Sequence, residues 1–415
     1  MKVFIKTFGC RVNQVESQSL LETFKAYGAE ITQDYSCADI CLLNTCSVTA
    51  KADRDANKLL RAINQKNPCC RLIVTGCYAM SGKDKIKQMF PNAEIIFKPD
   101  LGKKLFGQDT DWTVKQHEGK TRAFVKIQDG CDNFCSYCIV PYTRPLKTSK
   151  PKQTALAEIE NLIKNGYKEI VLTGINIGNY LCPQTGADLA DLLNDIFKLE
   201  GSFRIRFSSI EINTFTDKLI TAAKQGGERF CNYLHLPLQS GSDSVLKDMG
   251  RRYNTKEYTE RVFKIRQAFK DIFLYCDIIA GYPAETEENF KESLSFLDET
   301  GFAGLHVFSY SARQGTKAAL MKQIAPAEIK RRSEILHQKD RDLRQKAAQT
   351  LIGTKQQFLA ETFIKSNNCV SGIAANFQRI LIPDGTLKTD FTEVKITKAQ
   401  DGICYAQEIK NPAAK

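Results

Sequence analysis

The sequence predicts an α/β protein with two parallel-sheet units followed by a small β-barrel. Strand and helix patterns alternate over residues 1 to about 100 and start again at Ala123. This alternation predicts parallel sheets. From residue 351 the pattern changes to short strand-like runs separated by turn residues such as Pro383-Asp384-Gly385, which favours a compact β unit. The predicted units cover residues 1–112, 120–348 and 351–415.

In the first unit, three predicted strands end at a cysteine. The four strands are predicted over Val3–Thr7, Ala38–Leu43, Arg71–Thr75 and Glu94–Phe97, and Cys10, Cys46 and Cys77 follow the first three. The carboxyl ends of parallel strands share one edge, where ligands bind in open α/β sheets. Three thiolates at this edge predict an iron–sulfur cluster with one open iron, and three buried structural thiols are the alternative. The polar, glycine-containing stretch 98–122 is predicted to be a linker.

Six strand–helix units are predicted in the second unit, which is enough for a partial (β/α)6 barrel. The strands are predicted over Phe124–Gln128, Ile170–Thr173, Arg204–Ser208, Tyr233–Leu238, Leu274–Ala280 and Leu305–Ser309. Active sites of such barrels gather at the carboxyl ends of the strands. A long charged helix over residues 325–349 closes the unit, and five short strand-like runs follow it between residues 357 and 409.

The segment after the first barrel strand contains three cysteines in a C-x3-C-x2-C pattern. These are Cys131, Cys135 and Cys138, and the next cysteine is Cys182. Three thiolates on one short loop can hold three irons of a 4Fe–4S cluster, and the fourth iron is left open for a small molecule. A zinc site is the alternative, but zinc prefers four closed ligands and no histidine lies within the flanking residues.

The composition indicates the compartment in which the protein works and the kind of partner it meets. The chain has no apolar run of the length that crosses a membrane, and its first residues form a strand pattern, so a cytoplasmic protein is expected. Fifteen cysteines, an odd number, indicate metal ligation in a reducing compartment better than disulfide pairing. The net charge of +12 is compatible with a polyanionic partner such as nucleic acid. A monomer is expected.

The cysteine loop, with Tyr137 before its last cysteine, resembles the signature of the radical S-adenosylmethionine (SAM) superfamily. The resemblance implies that the open iron binds SAM and that an electron from the cluster cleaves it to a 5′-deoxyadenosyl radical. It also implies SAM contacts at the ends of the barrel strands. The expected cofactor-binding residues are Tyr137, Gly174, Asn176, Ser208, Glu211, Gln239, Asp277 and Ile279.

Two N-terminal segments resemble the methylthiotransferases, which are radical SAM enzymes. They are Thr7-Phe8-Gly9-Cys10-Arg11-Val12-Asn13-Gln14-Val15-Glu16-Ser17 and the run from Asn44 to Thr49. The resemblance implies that Cys10, Cys46 and Cys77 hold an auxiliary 4Fe–4S cluster that carries the sulfur, so none of the six cysteines acts as an acid or base. It implies an electron donor such as flavodoxin or ferredoxin. It also implies a C-terminal unit similar to the RNA-binding TRAM domain.

Residues 9–17 and 44–54 are most similar to the subgroup that acts on threonylcarbamoyladenosine in tRNA, 3′ to the anticodon at position 37. The implied partner is therefore the anticodon stem-loop of tRNA. Arg144, Arg251 and Arg252 are candidates to bind the substrate carboxylate. The alternatives are isopentenyladenosine in tRNA, an aspartate of a ribosomal protein, or an RNA-binding iron–sulfur protein without SAM chemistry.

Overall fold

A computed structural model describes residues 1–409. The last six residues of the C-terminal unit predicted over 351–415 lie outside the described residues. The described part contains two regions with parallel strands and a closed barrel, in the predicted order along the chain.

The N-terminal region is a five-stranded parallel sheet with the strand order β2-β1-β3-β4-β5. Its strands are β1 (Lys2–Thr7), β2 (Glu30–Ile31), β3 (Ile40–Thr45), β4 (Arg71–Gly76) and β5 (Glu94–Ile95). Its helices are α1 (Arg11–Ala26), α2 (Ala50–Lys66), α3 (Cys77–Ser81), α4 (Lys83–Met89) and α5 (Lys98–Phe106). Every residue of β3 is buried because helices cover both faces of the sheet. The prediction missed β2, which is only two residues long.

The predicted linker is wrong over its first part, because α5 occupies residues 98–106. The stretch after α5 also packs on the first region: Glu22 of α1 accepts hydrogen bonds from the backbone N–H groups of Lys115 and Gln116. Burial of Lys98 and Leu101 explains the difference, since a freely solvated linker would expose both side chains.

The central region contains six parallel strands in two abutting three-stranded sheets, β10-β9-β6 and β11-β12-β13. These six strands are β6 (Arg122–Lys126), β9 (Glu169–Thr173), β10 (Arg204–Phe207), β11 (Tyr233–His235), β12 (Phe273–Ala280) and β13 (Gly304–Ser309). The short strands β7 (Gln128–Asp129) and β8 (Thr148–Ser149) form a separate antiparallel pair. A parallel bridge between Ile205 and Phe230 joins the two sheets. The predicted partial barrel is therefore confirmed, and no strand boundary differs from its predicted position by more than three residues.

Helices surround the six strands of the central region. They are α6 (Val140–Thr143), α7 (Lys152–Lys164), α8 (Leu189–Ile196), α9 (Asp217–Gln225), α10 (Asp243–Asp248), α11 (Thr255–Ala268), α12 (Glu287–Thr300) and α13 (Pro326–Gln349). Reciprocal capping boxes begin α8, α11 and α12, which satisfy the free N–H groups of the first turns. The predicted long charged helix is α13, and it buries Leu336 and Leu343 against the core.

The C-terminal region is a closed five-stranded barrel with the order β14-β15-β16-β18-β17. Its strands are β14 (Lys355–Ile364), β15 (Cys369–Ala374), β16 (Arg379–Pro383), β17 (Phe391–Gln400) and β18 (Ile403–Glu408). The small β-barrel predicted from the turn pattern is confirmed. Closure pairs the strand edges, which an open sheet of this size would expose.

Candidate active site

The three N-terminal cysteines meet at one edge of the first sheet. Cys10 lies three residues after the end of β1, Cys46 directly follows β3, and Cys77 directly follows β4 as the first residue of α3. These strands are neighbours, so their carboxyl ends lie side by side. Gly9 has φ +90°, and a Cβ atom there would lie 2.5 Å from the Cys46 Sγ atom. Only glycine therefore allows the first loop to approach Cys46 this closely.

The chemistry of this first triad fits a cationic metal cluster. Burial, together with the nearby charges of Cys10 and Cys77, raises the pKa of Cys46 to about 11. Three thiolates at this site therefore repel one another unless a positive group lies between them. Metal coordination deprotonates such thiols.

The second triad lies on the loop between β7 and α6. The Cys138 N–H donates to the Cys135 carbonyl at 2.9 Å, and Phe134 adopts the left-handed conformation at φ 48°. Burial raises the pKa of Cys138 to about 12, and the charges of Cys135 and Cys131 contribute to the same rise. The loop is thus folded back on itself, with three mutually repelling sulfur ligands in a small volume.

One cavity of about 190 Å³ adjoins Cys138 of the second triad and the segment that follows Cys46 of the first. Val48 and Thr49, which follow Cys46, form one side of it, and Tyr137 and Cys138 form the other. Ile139 and Val140, at the start of α6, also line it, and the other lining residues lie at or just after the carboxyl ends of barrel strands and include Gln239, Asp277, Ile279, Phe308 and Arg313. A ligand in this cavity would touch segments adjacent to both triads.

Four of the expected SAM contacts, Tyr137, Gln239, Asp277 and Ile279, line this cavity. Gln239 has φ +76°, a strained conformation of the kind that occurs at ligand sites. Burial would raise the pKa of Asp277, but the attraction of His235 and the hydrogen bonds from His235 and His306 outweigh this effect and lower it.

The other expected SAM contacts lie on the neighbouring strand ends. The Asn176 Oδ1 and Ser208 Oγ atoms are buried and have no hydrogen-bond partner among the described residues. Buried polar atoms are normally paired, so both are suited to a ligand. A Cβ at Gly174 would lie 2.9 Å from the Gln128 carbonyl oxygen, so the backbone there needs glycine. Glu211 forms an ion pair with Arg251.

The structure does not support Arg144 as a free cation for substrate. Its side chain is 4% exposed, and its guanidinium donates to Glu16 and Asp129. It also donates to the Asn13 Oδ1 atom at 2.7 Å and, through Nε, to the Cys77 Sγ atom at 3.4 Å. All the nitrogens are engaged, so Arg144 supports the first triad and cannot bind a carboxylate without losing buried partners.

Arg251 is similarly occupied, whereas Arg252 is not. Arg251 donates to the Cys135 Sγ atom at 3.4 Å and pairs with Glu211, so it stabilises the second triad. Arg252 is exposed and donates to the Asp132 carbonyl at 3.3 Å. It lies beside the cysteine loop, on the outside of the site.

The sequence prediction missed three residues at this site, which are His235, His306 and Arg313. His235, Asp277 and His306 form a cluster in which the ligating atoms lie within 4.8 Å of one another. Arg313 lines the cavity four residues after β13. The other candidates were chosen because they lie at the carboxyl ends of barrel strands. The same criterion, applied to the sixth strand, would have identified Arg313.

Comparison with known protein families gives one match in each of the two regions that contain parallel strands. Residues 2–98 match the model of an uncharacterized protein family, UPF0004, and residues 125–297 match the radical SAM superfamily. Among solved structures, the radical SAM methyltransferase TsrM of Kitasatospora setae is similar, with a TM-score of 0.57 at 11% identity, and 77% of each chain is covered. At this identity the similarity concerns the fold alone.

Curated relatives are similar over most of the chain. Threonylcarbamoyladenosine tRNA methylthiotransferase MtaB of Thermotoga maritima is 33% identical over 382 residues, covering 87% of each chain. The MtaB protein of Bacillus subtilis is 35% identical, covering 79% of this chain and 77% of the relative. The tRNA-2-methylthio-N(6)-dimethylallyladenosine synthase of Endomicrobium trichonymphae is 35% identical, covering 87% and 89%.

The cysteine loop at the mouth of a six-stranded partial barrel, together with the superfamily match, defines a radical SAM enzyme. Within that class, the chain belongs to the methylthiotransferase family. The superfamily implies a 4Fe–4S cluster and SAM as cofactors. In the described part of the chain, no helix has both the length and the apolar character needed to cross a membrane.

Proposed function

We propose that the protein methylthiolates C2 of N6-threonylcarbamoyladenosine at position 37 of tRNA, giving 2-methylthio-N6-threonylcarbamoyladenosine. The observation that carries this proposal is the cavity that adjoins both Cys138 of the second triad and Val48 and Thr49, which follow Cys46 of the first. The names of the relatives from Thermotoga maritima and Bacillus subtilis support the choice of substrate.

Each triad is assigned one cluster in this proposal. Cys131, Cys135 and Cys138 hold the radical SAM cluster, and Cys10, Cys46 and Cys77 hold a second 4Fe–4S cluster. When bound, the two clusters supply the electron for reductive SAM cleavage and the sulfur for transfer. The neighbouring strand ends that bring Cys10, Cys46 and Cys77 together, and the single short loop that holds Cys131, Cys135 and Cys138, support these roles.

The remaining side chains bind and orient the reactants. Tyr137, Asp277 and Ile279 form the wall for the SAM adenine, with Gln239 beside them. Asn176 and Ser208 supply their unpaired polar atoms to SAM, and Gly174 lets its strand end pack closely against Gln128, which positions Asn176. Arg251 fixes Glu211 and the Cys135 sulfur in place.

The domain organisation assigned here follows these roles. Residues 1–112 carry the auxiliary cluster, residues 120–348 form the radical SAM domain, and residues 351–415 form a TRAM-like unit that binds the anticodon stem-loop. The closed five-stranded barrel of that last unit supports this assignment in architecture. Flavodoxin or ferredoxin is the proposed electron donor, and the proposed working form is a monomer.

Three anticodon stem-loop RNAs test the proposal. They carry threonylcarbamoyladenosine, isopentenyladenosine or plain adenosine at the target position, and each is incubated with reconstituted, reduced enzyme and SAM. Nucleoside mass spectrometry is expected to show the methylthio product from the threonylcarbamoyl RNA. The second candidate is the isopentenyl substrate, which the Endomicrobium relative favours by name. Preferential reaction of that RNA would reject the proposed substrate and retain the chemistry.

A further inference from the structure

Two exposed apolar side chains lie at the mouth of the cavity beside Cys138. Phe308 is 41% exposed and Val48 is 50% exposed, and both line this cavity. Ile139 and Ile279 line it too, but they are only 6% and 8% exposed, so they lie deeper. The cavity therefore opens to solvent between an aromatic ring and a branched aliphatic side chain.

These two side chains come from different regions of the chain. Phe308 is the fifth residue of β13, and Val48 lies between Cys46 and the start of α2. Parallel pairing places Phe308 directly beside Ile279 of β12, on the same face of the sheet. A flat group held against Phe308 would thus lie next to the wall assigned to SAM, and Val48 would place it next to the segment that follows Cys46.

Three aromatic residues line the cavity, and they differ in how they are engaged. The Tyr137 hydroxyl accepts from Arg251 at 3.5 Å, and its ring belongs to the wall assigned to SAM. The Tyr310 ring packs edge-on against Tyr282, with 6.1 Å between the ring centroids. Phe308 keeps a large part of its surface open at the cavity mouth, where a ligand can reach it.

The proposed reaction requires a surface of this kind. An enzyme that acts on a carbon of a base takes that base out of its stack, which costs stacking energy. Unstacked bases of RNA loops recover this energy on aromatic side chains. Such a contact strengthens binding by about 5- to 150-fold per base.

We propose that Phe308 binds the target adenine by stacking and that Val48 forms the opposite side of the same slot. This inference rests on the proposed function, but only on its target base, which the threonylcarbamoyl and isopentenyl substrates share. Neither side chain has a polar group, so the slot holds the purine without reading its N6 substituent. A base in this slot lies between the segment after Cys46 and the wall assigned to SAM.

The test is a cycle that removes the ring and the base separately. Reconstituted wild type and Phe308→Leu are each titrated with two stem-loop RNAs, and affinity is measured by fluorescence anisotropy. One RNA carries threonylcarbamoyladenosine at the target position, and the other carries an abasic site there. Leucine keeps most of the apolar volume of phenylalanine but has no ring on which a base can stack.

Wild type is expected to bind the RNA that carries the base about 5- to 150-fold more tightly than the abasic RNA. F308L is expected to lose most of this preference while its affinity for the abasic RNA changes little, because the ring and the base interact directly. If F308L weakens both RNAs equally, the assignment fails, since the ring then acts through folding or through the RNA backbone. If F308L keeps the full preference, the ring does not hold the base, and a raised KM for SAM in RNA-free 5′-deoxyadenosine formation would assign it to SAM instead.

Two further variants sharpen the result. Phe263→Leu is the matched control, because Phe263 is 61% exposed on α11 and does not line the cavity. F263L should keep the wild-type preference, and an equal loss in this variant would overturn the assignment to Phe308. Val48→Ala should lose a smaller part of the preference, since it shortens one side of the slot but leaves the ring.

Failure of the proposed function has a different signature. If wild type methylthiolates the isopentenyl RNA preferentially, the proposed substrate is rejected, and a loss of the base preference by F308L on that RNA still supports the role of Phe308. If wild type methylthiolates the threonylcarbamoyl RNA but binds it no more tightly than the abasic RNA, the substrate stands and the role of Phe308 is overturned.

Discussion

Two junctions connect the central region to its neighbours, and each is built around one fully buried glutamate. The N-terminal junction consists of Glu16 with Lys98, Lys126 and Arg144, together with Asp129. The C-terminal junction consists of Glu169 with Arg122, Arg204 and Arg206. Strand β6 reaches both, because Arg122 is its first residue and Lys126 its last.

The arginines of the two junctions also donate hydrogen bonds to groups other than the central glutamate, and these further partners differ between the junctions. At the N-terminal junction, Arg144 donates to the Cys77 sulfur and to Asp129, which precedes the second triad by two residues. At the C-terminal junction, Arg204 donates to the carbonyl of Ile373, and Arg206 to those of Ala374 and Ala375. The first junction is thus tied to the cysteine sites, and the second fastens the small barrel at the opposite ends of the strands.

At the C-terminal junction, burial and the neighbouring charges have opposite effects on the pKa of Glu169. Burial alone would raise the pKa of Glu169, but the attraction of Arg206 and Arg204 outweighs it and holds the pKa well below its usual range. The carboxylate therefore stays charged at any pH at which the protein is handled. This comparison predicts that the N-terminal junction controls chemistry and the C-terminal junction controls stability.

The largest expected effects come from the cysteines on either side of the N-terminal junction. Cys135→Ala should abolish 5′-deoxyadenosine formation, because two thiolates cannot hold the cluster that cleaves SAM. Cys46→Ala should abolish the methylthio product while SAM cleavage continues. Both products are measured by mass spectrometry under strong reductant. Full methylthio product from C46A would show that Cys46 is only a buried thiol.

The two glutamates provide a matched pair of variants. Glu16→Gln and Glu169→Gln each leave buried cations without their counterion, so each should lower the free energy of unfolding by about 3–5 kcal/mol. Only E16Q should also reduce iron bound per folded protein and methylthio product, because Arg144 would lose its orientation toward Cys77. Unfolding curves and iron analysis measure the two effects. Equal losses of iron in both variants would contradict the functional difference between the junctions.

A smaller effect should appear in the pH dependence of stability. His117 lies in the stretch before β6, and burial lowers its pKa to about 4, with a hydrogen bond to Phe124 opposing the shift. The unfolded chain binds a proton near pH 6.5 and the folded protein only near pH 4, so stability is lost as the pH falls through this window. The shift corresponds to at most about 3 kcal/mol.

Chemical denaturation between pH 7.5 and 4 measures this loss, and His117→Gln should flatten the profile over that range. The Glu169 carboxyl has its ordinary pKa of 4.5 in the unfolded chain and a much lower pKa in the folded protein, so the C-terminal junction adds a slope of its own at the acid end of this range, and the slope above about pH 5.5 isolates His117. A profile of H117Q as steep as that of wild type would assign the acid sensitivity to another group.

Sequence periodicity located the strands and the cysteine edge because both depend on local patterns that repeat along the chain. Cys10, Cys46 and Cys77 follow adjacent strands, and strand order alone brings them together. The role of Arg144 could not be predicted in this way, since its partner Glu16 lies 128 residues earlier in the chain. From the sequence alone, the charge of this arginine is compatible with binding a substrate carboxylate or a buried carboxylate of the protein. Only the packing of the two regions shows that its partners are buried protein groups.

The smallest expected effect concerns the contrast between buried and exposed arginines at the cysteine loop. Arg251 is engaged with Glu211 and Cys135, whereas its neighbour Arg252 is exposed beside the loop. Under the proposed function, Arg252 contacts a phosphate of the stem-loop. Arg252→Gln should then lower the slope of log affinity against log salt by about 0.7, the value for one phosphate of a single strand.

Fluorescence anisotropy over a salt series measures that slope, with both iron content and RNA-free SAM cleavage as controls for the integrity of the site. Since Arg252 lies outside the cavity, R252Q should weaken threonylcarbamoyl and unmodified RNA equally. An unchanged salt slope would remove Arg252 from the RNA contact surface. A change in the preference between the two RNAs would instead place it in substrate recognition, because a phosphate contact carries no information about the modified base.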